Sequence, residues 1–226
     1  MRAMSKLLAL ALAAALQPAF AGMLDFNDIT NSDDAAGFGM VQLMDRYLLS
    51  DGVQFTGGAW GERSAYNCDG FNSFVAHDLS CGAVQLASDP HNVKSSSDVS
   101  FTINFADGFT TGSSFYYSAL KDTRFSITVY DQLDGKGTGK AIAASTSATC
   151  DVSGLTFCDW SLADLQFAGT AYSIVVKGAD QTFMLDDLNL IQAPANPNPA
   201  PEPGSIALAL GGLGALGWSR RRAARR

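Results

Sequence analysis

The chain of 226 residues carries 15 basic and 22 acidic side chains, and hydrophobic residues make up 47% of it. Only 16% of the residues are charged, so the composition supports a sizeable core and excludes wholesale disorder. No basic stripe for nucleic-acid phosphates runs through the body. No internal apolar run approaches the ~20 residues typical of a polytopic membrane protein. The length fits one domain, at most two.

The N-terminal end, residues 1–21, has the layout of a secretory signal peptide. Arg2 and Lys6 form a positive start, and an apolar run of Leu and Ala follows. Ala19 and Ala21 then place small side chains before Gly22, as signal peptidase requires. The apolar run is too short for a bilayer core of ~30 Å. We therefore predict a cleaved signal helix, with a short buried helix as the alternative.

The C-terminal end combines three features in order. Residues 192–203 hold five of the seven prolines, which predicts an extended linker. Residues 206–218 are hydrophobic and uncharged, which predicts a helix about 20 Å long at ~1.5 Å per residue. Arg220, Arg221 and Arg222 begin an arginine cluster, which stays cytoplasmic under the positive-inside rule. So short a helix suits a segment that anchors the chain in the inner membrane only in transit.

The segment 201–226 resembles the PEP-CTERM sorting signal, because Pro201-Glu202-Pro203 precedes the apolar run and the arginines. The resemblance implies a protein exported by a Gram-negative bacterium that makes extracellular polysaccharide. It also implies that the membrane enzyme exosortase recognises and cleaves the tail, so that Pro201, Glu202 and Pro203 belong to a processing site. The protein would end at the cell surface or outside the cell. A plain single-pass anchor is the alternative.

The body between these ends is acidic and contains all the cysteines. Seven of the 15 basic residues and one acid, Glu202, lie in the two ends, so the body carries eight bases against 21 of the 22 acids. An even number of cysteines in an exported chain predicts disulfides. Three pairings are possible, and the short loops favour Cys68–Cys81 and Cys150–Cys158. A zinc site is the alternative, but zinc sites prefer Cys-x₂₋₄-Cys pairs.

The body reads as β-strands over residues 22–191. Apolar and polar residues alternate with a period of two, and β-branched and aromatic residues are enriched, as in half-buried antiparallel strands. The predicted strands are 23–27, 101–105, 115–119, 125–129, 172–176 and 183–190. Because no crossover helix is predicted, the pattern favours an all-β fold, an antiparallel β-sandwich of jelly-roll type.

Turns and loops are predicted between these strands. Asp107-Gly108 and Asp134-Gly135 indicate tight turns. Residues 57–98 are rich in Gly, Ser, Asn and Asp, which predicts long loops closed by the first disulfide.

One irregularity stands in the last predicted strand, where the apolar alternation changes parity at Asp186-Asp187. A β-bulge there would let both halves of the strand face the core and would aim two carboxylates at one point. Many carbohydrate-binding sandwiches hold a structural calcium where the first and last strands meet. We therefore hypothesise that Asp25 or Asp28 joins Asp186 or Asp187 at a calcium ion, with plain surface and turn aspartates as the alternative.

The middle of the chain, about residues 95–190, resembles an exported domain that recurs ahead of PEP-CTERM tails. The resemblance rests on Phe109 to Ser118, on Ile127 to Asp131 and on the hairpin motif Gly135-Lys136-Gly137-Thr138-Gly139. It implies that this hairpin joins two core strands. It implies no activity.

Catalytic motifs are not found. His77 and His91 lie in predicted loops, without a Gly-x-Ser-x-Gly elbow or metal-binding spacing, and are interpreted as solvated. The glycines of the hairpin motif do not precede a helix, so they are no phosphate loop. An enzyme is therefore disfavoured.

Binding is easier to argue from the sequence. Trp60 and Tyr66 lie near amides and carboxylates in a loop-rich region, a combination that suits sugar rings, although Trp60 in a core is the alternative. We expect an exosortase-processed structural protein of the surface or of a polysaccharide (biofilm) matrix, without catalysis. A carbohydrate-binding module of that matrix is the first alternative, and a secreted polysaccharide hydrolase is the second.

Overall fold

The computed structural model describes residues 22–30, 33, 39–65, 68–70, 72, 74–77, 81–89, 98–120, 123–144 and 157–194. The chain divides into two compact units, residues 1–193 and 194–226, and the first contains all the secondary structure given below. The predicted signal helix and C-terminal hydrophobic helix lie outside the described residues. Within the described ranges, no helix is long and apolar enough to cross a membrane.

The described residues form eleven strands and one short α-helix. In chain order these are β1 (Met40–Gln42), α1 (Leu48–Asp51), β2 (Val53–Gly57), β3 (Ala59–Arg63), β4 (Gly82–Leu86), β5 (Asp98–Phe109), β6 (Ser114–Ala119), β7 (Phe125–Tyr130), β8 (Gly139–Ile142), β9 (Ser161–Asp164), β10 (Ala171–Ala179) and β11 (Phe183–Asn189). A 3₁₀ turn, Leu133–Gly135, lies between β7 and β8.

The strands form two antiparallel sheets, as the alternating pattern predicts. One sheet has the order β1-β3-β4-β11-β6-β9, and the other has the order β2-β5-β10-β7-β8. β10 is central in the second sheet, where it pairs with β5 and β7. The prediction of an all-β antiparallel sandwich of jelly-roll type is confirmed.

The main core lies between the sheets and combines aliphatic side chains with many aromatic rings. Its fully buried phenylalanines are Phe26, Phe55, Phe101, Phe105, Phe109, Phe115 and Phe183. The ring of Phe183 stacks on Tyr117 at 5.7 Å between centroids and packs beside Phe125 at 5.3 Å. Each buried phenylalanine contributes roughly 1.5–3 kcal/mol of hydrophobic free energy, so together these rings add substantially to the stability of the sandwich.

The prediction of long loops over residues 57–98 is wrong for residues 59–63 and 82–86, which form β3 and β4, whereas the predicted disulfide lies in the segment between these strands. The glycines that suggested loops are positions of close packing. A Cβ built on Gly61 would lie 2.6 Å from Ile29 Cδ1 and 2.7 Å from Leu43 Cδ2. Another on Gly58 would lie 2.7 Å from Val99 Cγ1. Glycine is thus required within β3 and directly before it, because neighbouring residues pack against the backbone there.

Two further local predictions need correction. Residues 23–27 form no full strand, and only Leu24 pairs, through two backbone hydrogen bonds with Leu188 of 2.8 and 2.9 Å. Asp107-Gly108 forms no hairpin turn. It lies inside β5, where the register against β10 shifts and Gly108 has φ +74°. The Asp-Gly pair therefore marks a bulge, and Thr111 and Gly112 make the turn to β6.

The hairpin turn at Asp134-Gly135 is confirmed, with φ values of +61° and +65°. It folds back onto the second sheet. The Asp134 N–H donates to Asn104 Oδ1 (2.8 Å), and Asn104 Nδ2 donates to Asp134 Oδ1 (3.1 Å). The Gly135 N–H donates to Ser173 Oγ (3.0 Å), which in turn donates to the Gln132 carbonyl (2.6 Å). Asn104 and Ser173 are buried, so the turn is fastened to the sheet surface.

Replacing Asn104 tests this fastening. We expect Asn104→Ala to lower the free energy of unfolding by ~1–3 kcal/mol, because it breaks both bonds to Asp134 and leaves buried polar groups unpaired. Thr102→Ala, on the same face of β5, is the control and should cost less than ~1 kcal/mol. Urea denaturation of the exported protein measures both. Equal losses in the two variants would contradict the fastening.

Candidate functional site

The predicted bulge in the last strand is present. Asp186 of β11 faces Tyr116 of β6, but the next paired residue, Asn189, faces Ser114, so β11 has one residue more than its partner. Asp187 takes up the extra length with φ +49°. Both halves of the strand then face the core, as the change in parity predicts.

The bulge directs both carboxylates to His77. Asp187 Oδ2 lies 2.6 Å from His77 Nδ1, and the His77 backbone N–H donates to Asp186 Oδ2 (3.1 Å). The imidazole stacks on Tyr116 with 3.5 Å between centroids and meets the edge of Trp160 at 6.1 Å. Asp186 is fully buried and Asp187 is 5% exposed. We call these five residues the histidine clamp.

The histidine clamp holds the segment of residues 74–77 against the outer face of the first sheet, the face that points away from the main core. Beneath that segment lies a second apolar cluster made of Phe74, Ala76, Ala83, Phe157 and Met184. Trp160 Nε1 donates to the Val75 carbonyl (2.8 Å), which adds a further attachment. The interpretation of His77 as a solvated loop residue is wrong, since its side chain is only 16% exposed. His91 lies outside the described residues.

The structure does not bring the four aspartates of the calcium hypothesis into one group. Asp28 accepts hydrogen bonds from Tyr47 Oη (2.6 Å) and Arg46 Nε (2.9 Å), and Asp25 accepts from Asn27. Burial and the bond to Asp28 raise the pKa of the Tyr47 hydroxyl, which stays protonated as a donor. Among the described residues, no group of three or more His, Cys, Asp or Glu is arranged to hold a metal ion.

Calcium binding stays a prediction, but the contacts of Asp186 and Asp187 with His77 argue against it. Because Asp186 and Asp187 already serve His77, a bound ion would have to displace that contact. We therefore expect the melting temperature of the exported protein to be unchanged by millimolar calcium, in a thermal scan against a magnesium control. A rise of several degrees specific to calcium would restore the hypothesis.

The second predicted site, at Trp60 and Tyr66, is described only in part. Trp60 lies on β3, half-buried on the outer face of the first sheet, opposite Gln42 on one side and Gln85 on the other. It lies in a strand and not in a loop. Tyr66 lies outside the described residues, so ligand binding at this pair stays a prediction.

The cysteines support export. Cys68 and Cys81 form the predicted disulfide, with 5.6 Å between their Cα atoms. Cys158 is also disulfide-bonded. Its predicted partner, Cys150, lies outside the described residues.

Glu62 is a buried carboxyl that the sequence did not single out. It lies on β3 opposite Met40 and Ala83 and is 3% exposed. Burial raises the pKa of Glu62 from 4.5 to about 8, because a charge is poorly solvated there. The folded protein therefore keeps this carboxyl protonated at pH values where the unfolded chain ionises it.

This shift predicts a stability that falls with rising pH. Below pH 4.5 both states are protonated and Glu62 has no effect. Between pH 4.5 and about 8 the unfolded state ionises first, which lowers the free energy of unfolding by up to ~1.4 kcal/mol per pH unit. Glu62→Gln should therefore gain stability over the wild type as pH rises from 5 to 8. Urea denaturation at several pH values measures this, with the exposed Asp159→Asn as control, and a constant difference would contradict the shift.

A groove at the edge of the sandwich lies outside these clusters. Its volume is about 390 Å³. It is lined by Val129, Tyr130, Asp131, Thr138, Lys140, Phe167, Ala168, Thr170 and Ala171. The lining comes from the β7–β8 hairpin and from the segment that joins β9 to β10, and we call it the edge groove.

A second, more polar depression of about 450 Å³ is lined by Asp98, Arg124, Phe125, Ser126, Lys177 and Gly178. Lys177 contacts Asp98 there at 3.4 Å. Of the six basic residues that the structure describes, Arg46, Arg63, Lys136 and Lys177 contact aspartates. Lys140 and Arg124 make no such ion pair with a described residue, and each lines one of the two cavities. Composition and periodicity give no signal for either cavity.

Comparison with known proteins bears on the tail. Residues 199–226 match the PEP-CTERM protein-sorting motif, so the predicted sorting signal is confirmed. The motif marks an exported surface protein that passes through a membrane-anchored stage and is processed by exosortase. Pro201, Glu202 and Pro203 lie in the matched segment and outside the described residues, as do Arg220 to Arg222. Ala19 and Ala21 are also outside them.

The similarity of the body to known proteins is weaker than that of the tail. No curated protein matches the chain. A solved structure of TmCBM61 in complex with β-1,4-galactotriose covers 62% of this chain and 88% of its own, with 14% identity and a TM-score of 0.37. That similarity is too low to carry an argument about ligands.

Proposed function

We propose that the processed protein is a structural component of the cell surface or of its polysaccharide matrix and has no catalytic activity. The observation that carries this proposal is the sorting motif at residues 199–226, which delivers the sandwich to the outside of the cell. The disulfide-bonded body suits that destination, because disulfides persist outside the cytoplasm.

The geometry of the buried acids supports a role without catalysis. A glycoside hydrolase needs two carboxyl groups that flank a bound sugar and are open to it. Asp186 and Asp187 are the closest carboxylate pair that the sequence singled out, and both are buried and engaged with His77. Glu62 is buried as well. These groups are closed to a polysaccharide.

Carbohydrate binding is the second candidate function, and the edge groove favours it. The groove combines an aromatic side chain, Phe167, with hydroxyl, ammonium and carboxylate groups from Thr138, Thr170, Lys140 and Asp131. Sugar binding requires both kinds of group: an apolar surface for the C–H face of the ring and polar partners for its hydroxyls.

Processing can be tested on the full chain. In a host that contains exosortase, we expect the exported wild type to lose the tail and to appear in the surface or matrix fraction. A variant with Pro201, Glu202 and Pro203 all changed to alanine should keep the tail and stay in the inner membrane. Intact mass and fractionation measure both, and a host without exosortase is the control. Equal processing of the two chains would contradict the role of the motif.

Catalysis and binding are separated by one pair of assays. The exported protein is incubated with the host's own extracellular polysaccharide, and both released reducing ends and co-sedimentation are measured. We expect no release of reducing ends. Sustained turnover that one aspartate substitution abolishes would overturn the non-catalytic proposal.

A further inference from the structure

We propose that the edge groove binds an acidic sugar, a uronate residue of an anionic polysaccharide, with Lys140 pairing with the sugar carboxylate and Phe167 packing against the ring. The proposal rests on carbohydrate binding, the second candidate function, and names its site and ligand class. Neither the sorting motif nor the sequence pattern assigns this groove.

The apolar part of the groove is fixed before a ligand arrives. Val129 and Ala171 are buried and form the floor. Phe167 is half-buried and packs edge-on against the core residue Phe109, with 5.6 Å between centroids. A ring held in this way loses little conformational freedom on binding, which favours affinity. The volume of about 390 Å³ lies within the range of small-ligand sites.

The polar part of the groove leaves a positive charge available. Lys140 lies on β8 opposite Val129 and makes no ion pair with a described carboxylate. Asp131, which also lines the groove, already accepts a hydrogen bond from the Thr138 backbone N–H (2.7 Å). In a body with eight bases and 21 acids, four of the six described bases pair with aspartates. The complement of the unpaired Lys140 is a carboxylate brought by the ligand.

A different explanation of Lys140 exists. β8 is an edge strand of the second sheet, and charged side chains on edge strands prevent sheets from pairing with other molecules. Under that explanation, removing the charge promotes aggregation and leaves sugar binding unchanged. The two explanations therefore predict different results from one substitution.

The test measures binding of the exported protein to polygalacturonate, a polyuronate, and to the neutral polymers galactan and dextran. We expect the wild type to bind polygalacturonate, and we expect added salt to weaken this binding because the contact is ionic. Lys140→Gln should weaken it tenfold or more, and Lys140→Arg should retain most of it. Arg124→Gln, which removes the other unpaired base at the second cavity, is the matched control and should stay within twofold of wild type.

Phe167→Leu provides a second variant for the apolar contact and should weaken binding at least threefold, with the melting temperature measured to separate loss of contact from loss of fold.

Each remaining outcome has a defined meaning. If the wild type binds none of the polymers, carbohydrate binding fails and this proposal with it. If the wild type binds polygalacturonate and the two charge variants lose affinity equally or not at all, the groove assignment fails alone. Binding to neutral polymers only would overturn the ligand class. Aggregation of Lys140→Gln with unchanged affinity would assign Lys140 to edge protection.

Discussion

The bulge in β11 is the constraint on which the rest of this structure depends. One extra residue at Asp186–Asp187 lets Leu185 and Leu188 both face the core, because it resets the alternation between them. It also places two carboxylates on the outer face, where an unpaired charge would be costly. His77 meets both of them. The same strand beyond the bulge pairs with Leu24, so the bulge also fixes how the N-terminal segment joins the sheet.

The glycine-rich turn after β7 also depends on buried side chains, here those of the second sheet, for its polar partners. Two residues with positive φ, Asp134 and Gly135, fold the turn back over the strands. Buried Asn104 and Ser173 satisfy its backbone groups. Side-chain amides and hydroxyls thus replace the sheet bonds that the turn itself cannot make. The turn leaves Thr138 and Lys140 at the rim of the edge groove.

The period-two sequence pattern predicts those parts of the fold that depend on interactions between residues close together in the chain. The alternation of apolar and polar residues predicts the central strands, and the change of parity in the last strand predicts the bulge. The partner of the bulge was missed, because His77 is 110 residues away from Asp187 in the chain and nothing local links them. β3 and β4 were missed for a different reason. Position 61 requires glycine because Ile29 and Leu43 pack directly against its backbone. The sequence does not distinguish a glycine required by close packing from a glycine in a loop. The edge groove combines segments that are far apart in sequence, so it too required the structure.

The most direct measurement of the central claim is amide hydrogen exchange in the exported protein, followed at His77 and Val75. The His77 N–H donates to buried Asp186, and the Val75 N–H donates to the Phe157 carbonyl (2.9 Å). If the histidine clamp holds this segment on the sheet, both amides exchange as slowly as those of β10 and open only with global unfolding. Exchange of both amides at the rate of an open loop, while β10 stays protected, would contradict the account.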